Sequence, residues 1–284
     1  MRISTVLVLA TLGLMSTVGF APAQAPGRIW HYAPNGNFDL AGTFSPARFG
    51  FDIADVSNRA QLDTLPAGVR GLVWIGTCAG ADDLFKAKIA AVIDHPKLFG
   101  FNLMDDPDPT GRGAHPCAPE HLRAEADWVH AQRPGVVTFV ALMNQGTSTS
   151  PAFDAVYAPD RSHVDLFSIA PYPCRIEWRS CDIDMIDRYV AVALRTGVPA
   201  ERIIPTYQTF GFGAWRTDTG GRYRMPNGDE LRLMLDRWQR LIPHPAFDMA
   251  YSWGTQLGAA SLSQSPDLLE IFKDRHDVAK KNGG

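Results

Sequence analysis

The chain has 284 residues, 45% hydrophobic, 20% charged and 10% aromatic, enough apolar material for a sizeable core and outside the composition of disordered chains. Its formal charge of -3 supplies no positive field for a phosphate backbone or an anionic membrane surface, so nucleic-acid binding is disfavoured. No cofactor-binding motif is present, and no glycine-rich phosphate turn follows the first expected strand.

Residues 1–23 read as a signal peptide: a basic start at Arg2, an apolar run over 6–18, and small residues at Ala21 and Ala23 for cleavage. The mature chain, 24–284, is expected as one domain, secreted or periplasmic and not inserted in a membrane after cleavage. An uncleaved leader acting as an anchor is the alternative. The four cysteines form an even set in an exported chain, which favours two disulfides. Cys174 and Cys181 are near enough in sequence to close one loop, leaving Cys78 with Cys117. Zinc is the rival, but no C-x-x-C pair or histidine cluster has ligand spacing, so no metal is expected.

Short apolar runs then alternate with helical stretches. Strands are expected over 28–33, 48–54, 71–76, 98–104, 136–144, 165–170, 202–210 and 247–253. Between them, Asp82 caps a stripe of Phe85, Ile89, Val92 and Ile93, and Pro119 opens one of Leu122, Ala126 and Val129. Asp182 is the candidate cap for Ile186, Val190, Ala193 and Leu194, a helix stopping near Gly197. Leu231, Met234, Leu235, Trp238 and Ile242 form the last stripe. Runs such as 166–170 are apolar almost throughout, as parallel strands covered on both faces should be. Eight of them in about 255 residues predict a single (β/α)8 TIM-type barrel, with a doubly wound open sheet as the alternative.

In such a barrel the site is built where the strands end. The fourth run breaks into Asp105-Asp106-Pro107-Asp108, and adjacent carboxylates that cannot both ionise cheaply suit general-acid chemistry. A polar turn is the competing reading. Trp74, Tyr172, Tyr207, Tyr251 and Trp253 fall at strand ends, where rings would line a floor for stacking on sugars, although most such residues are core. Asn144 and Gln145 close the fifth strand, Gln208 lies at the end of the seventh, and Asp52 and Asp55 mark the second.

Met104-Asp105-Asp106-Pro107 and Ser252-Trp253-Gly254 together resemble the strand-four and strand-eight segments of (β/α)8 glycoside hydrolases of the clan A type. Pro171-Tyr172-Pro173 adds a likeness to uncharacterised secreted barrels. The resemblance implies that Asp106 is the acid/base carboxylate with Asp105 as its polar neighbour, and that Trp253 floors a sugar subsite. The chain departs from it twice. Asp106 stands where a glutamate is usual, and Gln208 occupies the nucleophile position, where an amide cannot attack an anomeric carbon. A secreted glycosidase acting on a polysaccharide or oligosaccharide by inversion is therefore expected, with Asp52 as the first candidate base and Asp55 and Asp39 behind it. The alternatives are a carbohydrate-binding barrel without catalysis and a phosphodiester-cleaving barrel using His31, with His115 or His121 as a second histidine.

Overall fold

The computed structural model describes residues 28–282, so the expected leader lies outside the described residues. Each expected strand is present, the fourth one residue longer than expected and the others shortened or shifted: β1 (Trp30–Tyr32), β2 (Ile53–Val56), β3 (Arg70–Trp74), β4 (Leu98–Asp105), β5 (Val137–Ala141), β6 (Leu166–Ser168), the pair β7 (Ile203–Ile204) and β8 (Thr206–Gln208), and, after a short β9 (Gly211–Phe212), β10 (Phe247–Tyr251). All neighbours in this sheet run parallel, in the order β7-β6-β5-β4-β3-β2-β1-β10-β8. Because β7 and β8 are halves of one segment, the sheet curls back on itself into a nearly closed barrel. Pro205 makes the break, since it has no N–H to donate to a ladder. The Ser168 hydroxyl straps the seam from inside by bonding that of Thr206 at 2.7 Å.

The second strand is displaced from its expected start. Pro46 opens a 3-10 turn over Ser45–Phe49, and Gly50 ends it at a φ of 84°. A Cβ on Gly50 would stand 2.7 Å from that of His276, so close packing as well as backbone angle demands glycine there.

Helices α1 (Arg59–Thr64), α2 (Asp83–Ala90), α3 (Pro119–Gln132), α4 (Pro159–Ser162), α5 (Asp184–Arg195), α6 (Gly228–Leu241) and α7 (Pro266–Asn282) surround the strands. Asp82 caps α2 by accepting from the Phe85 N–H, as its position predicts. Asp182 does not cap α5. The cap is Ile183, and the Asp182 carboxylate instead meets Arg188 one and a half turns into the helix. Asn227 and Glu230 form a reciprocal capping box on α6.

Two apolar layers follow from the strand alternation. Outward side chains pack under the helices, while Tyr32, Ile53, Leu72, Phe99, Phe139, Leu166, Ile204, Phe247 and Met249 fill the lumen. Phe247 is the hub of that plug, with the Tyr32, Phe99 and Phe139 rings 5.2–6.1 Å from its own. Outside the barrel, His31 on β1 and Asp248 on β10 form a buried 2.8 Å pair, and His276 on α7 stacks on His31 at 3.7 Å. Burial, and then the charge of His31, pushes His276 down to about 3, so it is neutral at ordinary pH. Burial alone would raise the pKa of Asp248, but the charge and hydrogen bond of His31 outweigh it and hold the carboxyl below the usual range.

Truncating the hub empties the lumen at its most crowded point. Phe247→Ala should cost ~3–5 kcal/mol of unfolding free energy in a urea titration, with little change in slope.

Candidate active site

At the C-terminal ends of the strands the barrel opens into a bowl of about 860 Å³. Its acidic wall arises from a bulge in β4. Asn102 pairs with Phe139, but the next partners are Met104 with Val140 and Asp105 with Ala141, so β4 carries one residue more than β5. Leu103 and Met104 therefore both pack into the helix-side core, and Asp105 faces the lumen three residues after Asn102. Without the extra residue, alternation would turn Asp105 away.

Asp105 is half-buried, and its pKa rises to about 6 through burial first and then through the charge of Asp106, against an opposing effect of His115. Asp106 ends the strand at a φ of 50°, a left-handed conformation that Asp tolerates better than most residues, while its N–H still donates to the Ala141 carbonyl. It is open to the bowl, yet the surrounding walls desolvate its carboxyl enough to raise its pKa as well. The third carboxylate of the motif has a different task. Asp108 is buried and accepts from the Thr110 hydroxyl, and then from the Gly113 and Thr110 N–H groups, which lowers its pKa and shapes the turn.

Asp55 on β2 lines the same bowl, takes a 3.1 Å hydrogen bond from the Asn35 N–H and is raised by burial. The opposite side is aromatic. Tyr172 and Tyr251 stack at 5.8 Å, Phe210 sets its edge against both, and Trp215 and Tyr223 close the ring. Burial and the charge of Asp105 raise the Tyr251 phenol, so it stays protonated and donates to Gln256 at 2.8 Å.

Of the residues expected from sequence, Asp55, Asp105, Asp106, His115, Trp74, Tyr172 and Tyr251 line the bowl. The structure sends the others elsewhere. Asp52 precedes β2, at the opposite end of the barrel, where it accepts from the His31 N–H at 2.7 Å and pairs with Arg28. The base role assigned to it therefore fails on position. Asp39 caps a surface turn through the Ala41 and Thr43 N–H groups. Tyr207 points outward, its ring against Phe272 and its hydroxyl towards Asp248. Trp253 is buried between Phe49 and Phe51 and floors no subsite. The Asn144 amide binds the Tyr189 hydroxyl and accepts from Gly146 and Ala152, which organises the loop after β5. Gln208 is wholly buried: its Oε1 accepts from the Cys174 N–H, and its Nε2 donates to the Cys174, Phe210 and Arg224 carbonyls. His31 faces the helices, His121 bonds the Cys78 carbonyl, and His115 alone of the three reaches the bowl.

Both expected disulfides are present and brace the mouth. Cys78–Cys117, with Cα atoms 5.3 Å apart, joins the loops after β3 and β4, and Cys174–Cys181, at 4.3 Å, closes the loop after β6. Arg175, buried against Trp178, pairs with Asp218, which in turn accepts from the Ser148 N–H, stitching the loops after β5, β6 and β9 together. An open depression of about 650 Å³ lies on the outside of the Cys174–Cys181 loop, away from the bowl's residues.

Sequence reasoning missed Asn35, Asn102, Phe210, Trp215 and Tyr223. Trp215 and Tyr223 sit in a loop with no periodicity, and their one signal is two large rings in a stretch carrying Gly211, Gly213, Gly220 and Gly221.

No protein-family model matches the chain, and no curated protein matches its sequence. Solved structures match in shape. The C-terminal domain of a provisionally assigned chitinase from Desulfitobacterium hafniense DCB-2 superposes with a TM-score of 0.54 at 10% identity, over 88% of this chain and 99% of that one. A provisionally assigned α-L-fucosidase from Bacteroides thetaiotaomicron VPI-5482 gives 0.52 at 12%, over 90% and 91%. A fungal endo-β-N-acetylglucosaminidase of glycosyl hydrolase family 18 gives 0.51 at 12%, over 89% and 97%. The chain thus has a TIM-barrel-like fold shared with glycoside hydrolases, a fold that also hosts many other chemistries. Among the described residues no helix is long and apolar enough to cross a membrane.

Because Asp105 holds its proton more tightly when folded than when unfolded, it costs stability as pH rises from about 4 to 6, and the cost is complete above that window. Asp105→Asn should therefore be more stable than the wild type at pH 7 by ~1–2 kcal/mol, after allowance for solvent screening. The difference should vanish near pH 4, as read from paired denaturation curves.

Proposed function

We propose that the protein is an exported carbohydrate-active barrel that hydrolyses a glycosidic bond in a polysaccharide or oligosaccharide. The observation that carries the reading is the Asp105–Asp106 pair standing in a bowl walled by tyrosine and tryptophan rings. Flat apolar faces with polar tips suit sugar rings, and a carboxyl that keeps its proton near pH 6 suits protonation of a leaving oxygen. The two disulfides support an oxidising compartment and hence the expected export.

Sequence reasoning gave the proton to Asp106, but burial favours Asp105 as its holder, with Asp106 the anion that raises it. Asp55 takes the place expected of Asp52 as base. The step is then a single displacement. Asp55 removes a proton from water, the water oxygen bonds the anomeric carbon, the glycosidic C–O bond breaks, and Asp105 protonates the departing oxygen. The configuration inverts, since the buried Gln208 offers no carboxylate for a covalent intermediate.

The same Gln208 favours a second reading, glycan binding without turnover. Reducing-end release from a panel of polysaccharides separates the two. For the hydrolase, Asp105→Asn should lower kcat about 10²–10⁴-fold and leave glycan binding in place. NMR of the first product should show net inversion. Undiminished activity in both Asp105→Asn and Asp106→Asn would remove the pair from the mechanism, and net retention would remove Asp55 as base.

A further inference from the structure

Most sheltered carboxylates outside the bowl have a basic partner: Asp52 with Arg28, Asp165 with His130, Asp218 with Arg175, Glu230 with Arg224 and Asp248 with His31, while Asp108 is held by hydroxyl and backbone donors and Glu125 on α3 stands unpaired. Asp55, Asp105 and Asp106 have no ion pair among the described residues, although all three line one cavity. The basic side chains that share this lining are Arg216, exposed at the rim, and His115, whose Nδ1 is engaged with the Asp105 carbonyl. Asn102 adds a buried Oδ1 that has no partner. Apart from the proton held by Asp105, the polar groups left open here are therefore acceptors, and a ligand that fits them must bring donors and positive charge.

A bare metal ion does not fit this arrangement. Among the described residues, the potential ligand groups with atoms within 4.8 Å of one another are His31–Asp248–His276 and Cys174–Cys181–Glu230, neither of which contains a carboxylate of the bowl. Spread-out carboxylates facing a ring of aromatic faces suit an organic cation, which gains from the ring quadrupoles as well as from the charges. Tyr172 and Tyr251 line the bowl as a stacked pair, and the Tyr251 phenol feels the charges of Asp105, Asp106 and Asp55 together. A lysine-like ammonium has three N–H donors and no acceptor, the complement of this lining. An acidic sugar would meet repulsion at Asp55 and Asp106.

We propose that the bowl selects a glycan carrying free amino groups, its ammonium entering between the Asp55 and Asp106 carboxylates and its ring packing against the Tyr172–Tyr251 wall. This rests on the glycan reading above and specifies the charge of the sugar.

Calorimetric titration of the full chain at about pH 6 with three oligomers of equal length tests it: a fully deacetylated glucosamine oligomer, its N-acetylated counterpart and an oligogalacturonate. The aminated oligomer should bind about tenfold or more tightly than the acetylated one, and the galacturonate weakest. Asp55→Asn should narrow the first ratio several-fold. Should that variant not fold, the wild type still decides: raising salt from about 0.05 to 0.5 M should weaken the aminated oligomer and leave the acetylated one nearly unchanged. Equal or tighter binding of the acetylated or acidic oligomer would overturn the charge preference and leave the glycan reading standing. Binding of none of the three would overturn both.

Discussion

Strands of a closed parallel barrel must alternate their side chains between the lumen and the helix layer, and the extra residue in β4 suspends that rule between Asn102 and Asp105. The suspension sets Leu103 and Met104 side by side in the outer core and returns a carboxylate to the lumen where alternation would have placed it outside. The raised pKa of Asp105, the neighbouring anion at Asp106 and the acidic character of the bowl all follow from this one step in register. Tolerance for the irregularity comes from both sides of the strand. β3 and β5 hold β4 in a parallel ladder, and the Asp106 N–H rejoins the ladder at Ala141.

Stabilisation and chemistry are separated along the barrel axis. Below the bowl, the lumen is a plug of interlocked rings around Phe247, and buried charge is neutralised, as in the His31–Asp248 pair. Above it, three carboxylates are left without counter-ions and an amide oxygen without a donor. Leaving acceptors uncompensated opposes folding, and the rigid plug, with mouth loops held by two disulfides and the Arg175–Asp218 pair, offsets it. One carboxylate follows the same pattern outside the site. Glu125, buried on α3 beneath the Cys78 loop, has neither oxygen in a well-formed hydrogen bond, and burial lifts it to about 8, so it is held as a neutral acid.

The architecture was legible because it rests on local apolar runs. Parallel strands covered on both faces cannot hide in a sequence, and helix signals such as Asp82 and Pro119 act within a turn of where they stand. The site was legible only where a motif sits at the strand end itself, as Asp105-Asp106 and Tyr172 do. Asp52 and Asp55 are three residues apart, and choosing between them needs the start of β2, which a Gly50-terminated turn delays. Tyr207 and Trp253 failed for a related reason: at a strand end, a one-residue difference in phase decides whether a ring faces the bowl or the helix layer. Trp215 and Tyr223 reach the bowl through loop geometry fixed by contacts far away in sequence, among them Arg175 beneath Tyr223.

The environment of the Cys174–Cys181 loop bears on how its covalent link arises. Gln208 holds the Cys174 backbone by both its N–H and its carbonyl, while Glu230, itself gripped by Arg224, accepts from the Cys181 N–H at 3.1 Å. These bonds fix the two main-chain positions without help from the sulfur atoms. A chain that has folded in its thiol form thus presents Cys174 and Cys181 to each other at high effective concentration, and an oxidant arriving afterwards meets a partner choice already made. The Gln208 amide thereby helps to template a covalent bond.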